Sequence, residues 1–206
     1  MLREELKLKS IILITLTSLS LFAGRIFSQD DSLKYLGNFG HFRNAVSISS
    51  ARGEFIFVSD LETNKIFKFS KDGKELASFG GAGLGDNELN QPYSIDASNG
   101  LDVLVADYQN NRIKRLDLNL NFIQSFDFNS YNLTAESSRK IFNPRSIMTM
   151  STSEIFVICD ATNYRAAKLN DYSEVSIIFG SKSVGIDKLD SPVKIVKGNQ
   201  LDVWIL

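Results

Sequence analysis

Cysteine, histidine and tryptophan occur once each in the 206 residues, and proline three times. The lone Cys159 cannot close an internal disulfide, and His41, the single histidine, stands far from it in sequence, so a Cys-His nucleophilic pair has no evident basis. Neither sign of charge dominates: 23 basic residues face 24 acidic ones, for a net charge of −1. That balance lacks the basic footprint that a phosphate backbone requires, which argues against a nucleic-acid partner. Long apolar runs are missing too. The longest, Ile11–Ala23, is short of the ~20 residues that span a bilayer. No helical period of useful length follows residue 30. The glycines of GGAGLG (80–85) precede neither Lys-Ser nor Lys-Thr and fail the dinucleotide spacing, so they read as a flexible connector, not a phosphate cradle. No motif calls for a cofactor.

What is present leans toward strands. The chain holds 15 Phe and 6 Tyr within a hydrophobic share of 43%. At the N-terminus Arg3, Lys7 and Lys9 precede the apolar run, the order of charges expected of a secretory signal occupying 1–28. Its removal leaves 19 basic and 22 acidic residues, and the reading that follows is a secreted or periplasmic chain with no stable membrane insertion.

The remainder repeats itself. The segments NAVSISSARGEFIFVSD, QPYSIDASNGLDVLVAD, NPRSIMTMSTSEIFVICD and SPVKIVKGNQLDVWIL bring Ala45, Pro92, Pro144 and Pro192 into register, with Ile48, Ile95, Ile147 and Ile195 three residues later. Asp60, Asp107 and Asp160 close the first three. Each is followed five positions on by Lys65, Arg112 or Arg165 and nineteen on by Phe79, Phe126 or Phe179. Alternating apolar and polar residues, as in NRIKRLDL, together with turn sequences such as SNG and KDG, divide each unit into four short strands.

Four antiparallel strands per unit of this length make one blade of a β-propeller, so the expected class is all-β. Three blades are expected at about 45–80, 92–128 and 144–180, with a half blade at 192–206. The piece KYLGNFG (34–40) resembles a fourth strand without a blade and is expected to close the ring from outside. About three and a half blades form an incomplete ring, because propellers need about four or more. The expectation is therefore a longer parent with an Asp next to position 207.

The pattern NQPYSIDASNGLDVLVADYQNNRIKRLDLNLNFIQSFD resembles the NHL repeat family, with its Pro, its strand ending Val-x-Asp, its Asn-Arg-Ile and its final strand ending near Phe-Gly. Ala45 in place of Pro, Lys65 in place of Arg and Ala166 in place of Ile depart from it. The resemblance implies a six-bladed ring, used mostly as a binding platform and sometimes as an enzyme scaffold.

Two readings apply to the repeated pair of Asp60, Asp107, Asp160 with Lys65, Arg112, Arg165: ligands or an ion-pair switch, or a turn brace that every blade needs. The second is preferred, because an Asp ending a strand caps the next turn and a basic residue lies beside it. For a binding surface, the turn between strands two and three and the connector to the next blade must lie at one end of the blade. That end collects Tyr93, Tyr108, Tyr131, Tyr164, Arg139 and Arg145, residue types suited to recognition. The first function class is then an exported scaffold for a protein, peptide or glycan, with no catalytic set and no metal. The alternative is a metal-dependent propeller enzyme of lyase or lactone-hydrolase type, for which His41, Glu88, Asp96 and Asp190 are the nearest ligands.

Overall fold

A computed structural model describes residues 35, 37–134, 141–150, 154–159, 164–170, 174–180, 189–198 and 202–206. The expected signal segment lies outside the described residues, as do Arg139 and Asp160. All the elements below belong to one compact unit, Asn38–Leu206.

The first sheet runs β1 (Ala45–Ala51), β2 (Phe55–Asp60), β3 (Lys65–Ser70) and β4 (Glu75–Gly80). The second runs β5 (Pro92–Asp96), β6 (Asp102–Asp107), β7 (Arg112–Asp117) and β8 (Phe122–Asp127). The third runs β9 (Pro144–Thr149), β10 (Glu154–Cys159), β11 (Arg165–Asn170) and β12 (Glu174–Phe179). A pair, β13 (Ile195–Lys197) and β14 (Val203–Ile205), follows. Every sheet is an antiparallel meander in chain order. The expected all-β blade architecture is the one observed, as an arc of an incomplete ring.

The core lies between blades, and LDVLVAD shows why. In β6 every side chain is buried, with Val103 and Val105 facing the cluster shared with the first blade, around Phe57, Ile66 and Leu89. Leu104 and Ala106 face the cluster shared with the third, around Ile147, Ile155 and Leu169. A strand with side chains on alternate faces, buried on both, reads as a continuous apolar run. Each such Val or Leu contributes about 1.5–3 kcal/mol through its burial.

The inner strands β1, β5, β9 and β13 stand side by side, and a polar ladder joins them. The hydroxyl oxygens of Ser47, Ser94 and Ser146 accept the backbone N–H of Ile95, Ile147 and Ile195 in the next blade, at 3.2, 3.3 and 3.1 Å. A second rung is made by Ser49 Oγ with Ala97 N (2.9 Å) and by Asp96 Oδ2 with Thr149 N (2.5 Å). Inner-strand N–H groups with no neighbouring strand thus find side-chain acceptors, as buried donors must.

Among the described residues of the segment expected to close the ring, 35 and 37–40, none pairs as a strand with the described blades; the rings of Phe39 and Phe42 pack edge-on against Phe69 of β3, at 5.1 and 5.7 Å. One detail differs from the sequence expectations. A helix forms where none was expected: α1 (Phe128–Thr134), in the connector after the second blade. Outer strands β4 and β12 run into Gly80 and Gly180, both at positive φ, where a Cβ would come within 2.6 Å of the carbonyl of Asn64 or Tyr164. The equivalent residue after β8's Phe126 is Asp127, whose carboxylate accepts Asn129 N at 2.8 Å and so caps α1. Asn132 then ties the helix to the returning chain, donating from Nδ2 to Ile141 O (2.6 Å) and accepting Ile141 N at Oδ1 (3.0 Å).

Candidate functional site

The turns between the second and third strands and the connectors between blades meet at one end of the blades, and three sets of side chains fix them there. The aspartates come first. Asp60, fully buried, accepts Arg43 N (2.6 Å) and Asn44 N (3.0 Å) at Oδ2, and Glu62 N and Thr63 N (3.0 Å each) at Oδ1. Burial pushes its carboxyl up, but the backbone donors of Thr63, Asn44 and Arg43 outweigh it and hold it below the usual carboxylate range. Asp107, equally buried, accepts Asn90 N (2.7 Å), Asn110 Nδ2 (2.9 Å) and Arg112 Nε (2.7 Å). One carboxylate therefore closes its own turn and grips the incoming connector.

The second set is the asparagine four residues after each aspartate. Asn64 and Asn111 adopt positive φ (56° and 53°), which asparagine tolerates better than most residues. Their side-chain oxygens accept the N–H of Gln91 (2.7 Å) and Asn143 (2.6 Å), the residues just before Pro92 and Pro144. Gln91 and Asn143 are themselves at positive φ (54° and 49°), so the clamp holds a strained entry into each inner strand. Tyr164 fills the asparagine position in the third blade, keeping the positive φ (51°) without the amide. The sequence pattern held these residues in register, but asparagines at turns are common enough to pass unremarked.

The third set is basic. Arg112 donates to the carbonyls of Leu84 (2.7 Å), Gly85 (3.0 Å) and Glu88 (3.1 Å), and Asn110 to that of Gly83 (2.8 Å). Lys114, fully buried, donates from Nζ to Gly85 O (2.8 Å) and Asp86 O, with the rings of Phe122 and Phe79 at 5.0 and 5.7 Å. The glycine-rich connector expected to be flexible is thus pinned through five of its carbonyls.

Burial, with Arg112 close by and against the pull of Asp107, Asp86 and Glu88, brings the Lys114 ammonium down to about 8. Between that value and the usual 10.5, the unfolded chain holds a proton that the folded chain has released. Stability due to this group therefore rises with pH across that window. Denaturant titrations are expected to show the stability difference between wild type and Lys114→Met moving in favour of wild type from pH 8 to 10.5. A difference independent of pH would contradict the assignment.

Of the expected binding residues, the structure brings three together. The Tyr93 and Tyr108 rings lie 4.7 Å apart at 52°, and the Arg145 guanidinium sits over the Tyr93 ring at 5.8 Å. Tyr93 is on β5, Arg145 at the same position of β9, and Tyr108 opens the turn after β6, so the cluster straddles two blades. Tyr108 is anchored by its backbone, donating N–H to Gln91 O (3.3 Å) and accepting Asn143 Nδ2 (3.1 Å). All three side chains are half-buried. Tyr131 is placed differently: it rides on α1, its ring 6.2 Å from Phe126, against the core between the second and third blades. Tyr164 occupies the αL turn position described above, and Arg165 opens β11 in the place of Arg112. Lys65 opens β3 opposite Asp60.

The residues of the alternative metal reading are spread out. Glu88 caps its own loop by accepting Gly85 N (2.8 Å), Asp96 accepts Ser98 N (2.9 Å) and Thr149 N (2.5 Å), and His41 and Asp190 are exposed. Among the described residues, no three His, Cys, Asp or Glu side chains converge on a common point.

Comparison with solved structures gives the arrangement its class. The chain superposes on the virginiamycin B lyase of Staphylococcus aureus, solved in a catalytically inactive form with quinupristin, with a TM-score of 0.59 and 16% identity, covering 84% of this chain and 52% of that one. A streptogramin B lyase gives 0.59 and 18%, covering 83% and 51%. Hydrazine synthase of Kuenenia stuttgartiensis gives 0.57 and 14%, covering 80% and 42%. The fold is that of a β-propeller. At these identities the likeness is one of fold alone, and the chain spans about half the length of the propellers it matches. No known family profile matches the sequence, and no curated protein matches it.

Proposed function

We propose that this propeller arc is part of an exported binding protein of NHL-repeat type, six-bladed when whole, that contacts its ligand through Tyr93, Tyr108 and Arg145. The observation that carries the reading is their convergence on one rim across two blades. The repeated Asp60, Asp107, Asn64 and Asn111 are taken up by the turns and connectors, and Ser47, Ser94 and Ser146 by the next inner strand, but these three side chains are not. Tyr gives large contact area at small entropic cost, and Arg adds directional hydrogen bonding. A guanidinium stacked on an aromatic face is held without losing its N–H edge. Export rests on the charge order and length of the segment before residue 28. The repeat pattern and its turn aspartates support the NHL reading.

A glycan and peptide array probed with wild type and with the Tyr93→Ala, Arg145→Ala double variant tests the proposal. The double variant is expected to lose at least about tenfold in binding, as hot-spot truncation does, while its thermal midpoint and circular dichroism stay close to wild type. Array binding equal to wild type would overturn it.

A further inference from the structure

The cluster has hydrogen-bonding capacity that the protein leaves unused. Among the described arginines, Arg112 and Arg115 pair with carboxylates, Arg43 with Glu62, and Arg52 with Gly100 O at 2.6 Å, while Arg165 has partners of its own. Arg145 donates no hydrogen bond to a described residue; its one described interaction is the stack on Tyr93. The phenol hydroxyls of Tyr93 and Tyr108 likewise have no hydrogen bond among the described residues. Next to them in the chain, Gln109 donates to Gln91 at 3.2 Å. That bond leaves three amide N–H donors and the Gln109 Oε1 acceptor of the pair outside it.

Three properties of a ligand follow. A planar cation with its donor edge free and no carboxylate bonded to it among the described residues calls for a planar oxyanion, since a guanidinium matches a carboxylate with two parallel bonds. Two aromatic faces in a shallow, half-buried site call for a flat apolar surface of ring size. Phenols and amides around them call for a ligand whose edge carries hydroxyls. A sugar ring bearing a carboxylate has all three at once. An acidic peptide has the carboxylate without the hydroxylated ring, and a neutral sugar the ring without the charge.

Resting on the ligand-contact role given above to this cluster, we infer that the site takes a uronate-containing glycan, with Arg145 on the carboxylate, the ring over Tyr93 and Tyr108, and the phenols on its hydroxyls. Calorimetric titration of the full chain with short oligomers of galacturonate, of mannuronate and guluronate, and of glucuronate-containing disaccharides tests it. The methyl-esterified form of each serves as the uncharged match. At least one free-acid oligomer is expected to bind, and its ester to bind about tenfold or more weakly, the scale of one charge-assisted pair. Arg145→Ala should bring acid and ester to the same affinity, and Arg145→Lys should recover only part of the difference, because an ammonium does not make the paired bonds.

Failure of every acid oligomer to bind, or equal binding of acid and ester by wild type, overturns the inference. Binding of a glutamate-rich peptide in place of the oligomers, still dependent on Arg145, would overturn the glycan while leaving the cluster as the contact site. Acid-selective binding unchanged in Arg145→Ala would overturn both.

Discussion

Replacing Asp60 with alanine is expected to lower the unfolding free energy by about 2–4 kcal/mol, the cost of leaving several half-buried backbone donors unpaired. The carboxylate serves four N–H groups from two segments, Arg43 and Asn44 before the inner strand and Glu62 and Thr63 in the turn. Among the described residues no other side chain is bonded to these four N–H groups, and a methyl group leaves them facing each other. Asp60→Asn keeps one oxygen acceptor but turns the other into an amide donor opposed to two N–H groups, so it should recover less than half of the loss. The pH dependence gives a second readout. Because the folded carboxyl lies below its ordinary 3.8, its stabilisation is complete above that value and is lost as pH falls through the folded one. The gap between wild type and Asp60→Ala should therefore narrow in acid. Denaturant melts at neutral pH and near pH 3 measure both effects, and a constant gap would show that the charge is not what the amides hold.

What the sequence made legible follows from what repeats. Strand alternation in NRIKRLDL and the aspartates at fixed offsets are properties of every blade, so the sheets and the turn braces could be located from pattern alone. Tyr93 and Arg145 could be paired because they occupy the same place in successive inner strands. The features that escaped notice do not repeat, or repeat in residues that look ordinary. Ser47, Ser94 and Ser146 read as plain polar alternation in a strand, and only the neighbouring blade shows that they accept its N–H groups. Lys114 corresponds to Phe67 and Ala167 in the other blades and looks like a solvent-facing residue, yet the connector folds over it. The seven residues of α1 are too few to show a helical period, and the helix that Asp127 begins sets Tyr131 beside Phe126 and the core between the second and third blades. Local pattern records what a blade needs, whereas the chain that packs over it from the next connector leaves no local signal.

Arg112→Ala is the second large effect, expected to cost about 2–4 kcal/mol, because removing one member of a buried ion pair leaves an uncompensated charge. The Asp107 carboxylate is fully buried, and among the described residues Arg112 is its only cationic partner within bonding distance, at 2.7 Å. The same guanidinium releases the carbonyls of Leu84, Gly85 and Glu88 when it is lost, so the connector should loosen and Lys114, which binds two carbonyls of that loop, should become easier to reach by solvent. Neutralising the orphaned charge separates the two contributions. Asp107→Asn retains an oxygen for Asn90 N, so the double variant Arg112→Ala, Asp107→Asn should be more stable than Arg112→Ala alone, a non-additivity expected of residues in contact. Hydrogen exchange should show the freed connector in both variants but the turn at 107–111 destabilised chiefly in the single one. Ligand affinity, measured on the folded fraction, should fall as well in the single variant, because Asp107 pairs with Pro92 beside Tyr93 and Tyr108 opens the destabilised turn. A single variant as stable as wild type, or a double variant no better than the single, would mean that water or the asparagine amides already satisfy Asp107 and that the repeated acid-base pair is not what braces the turn.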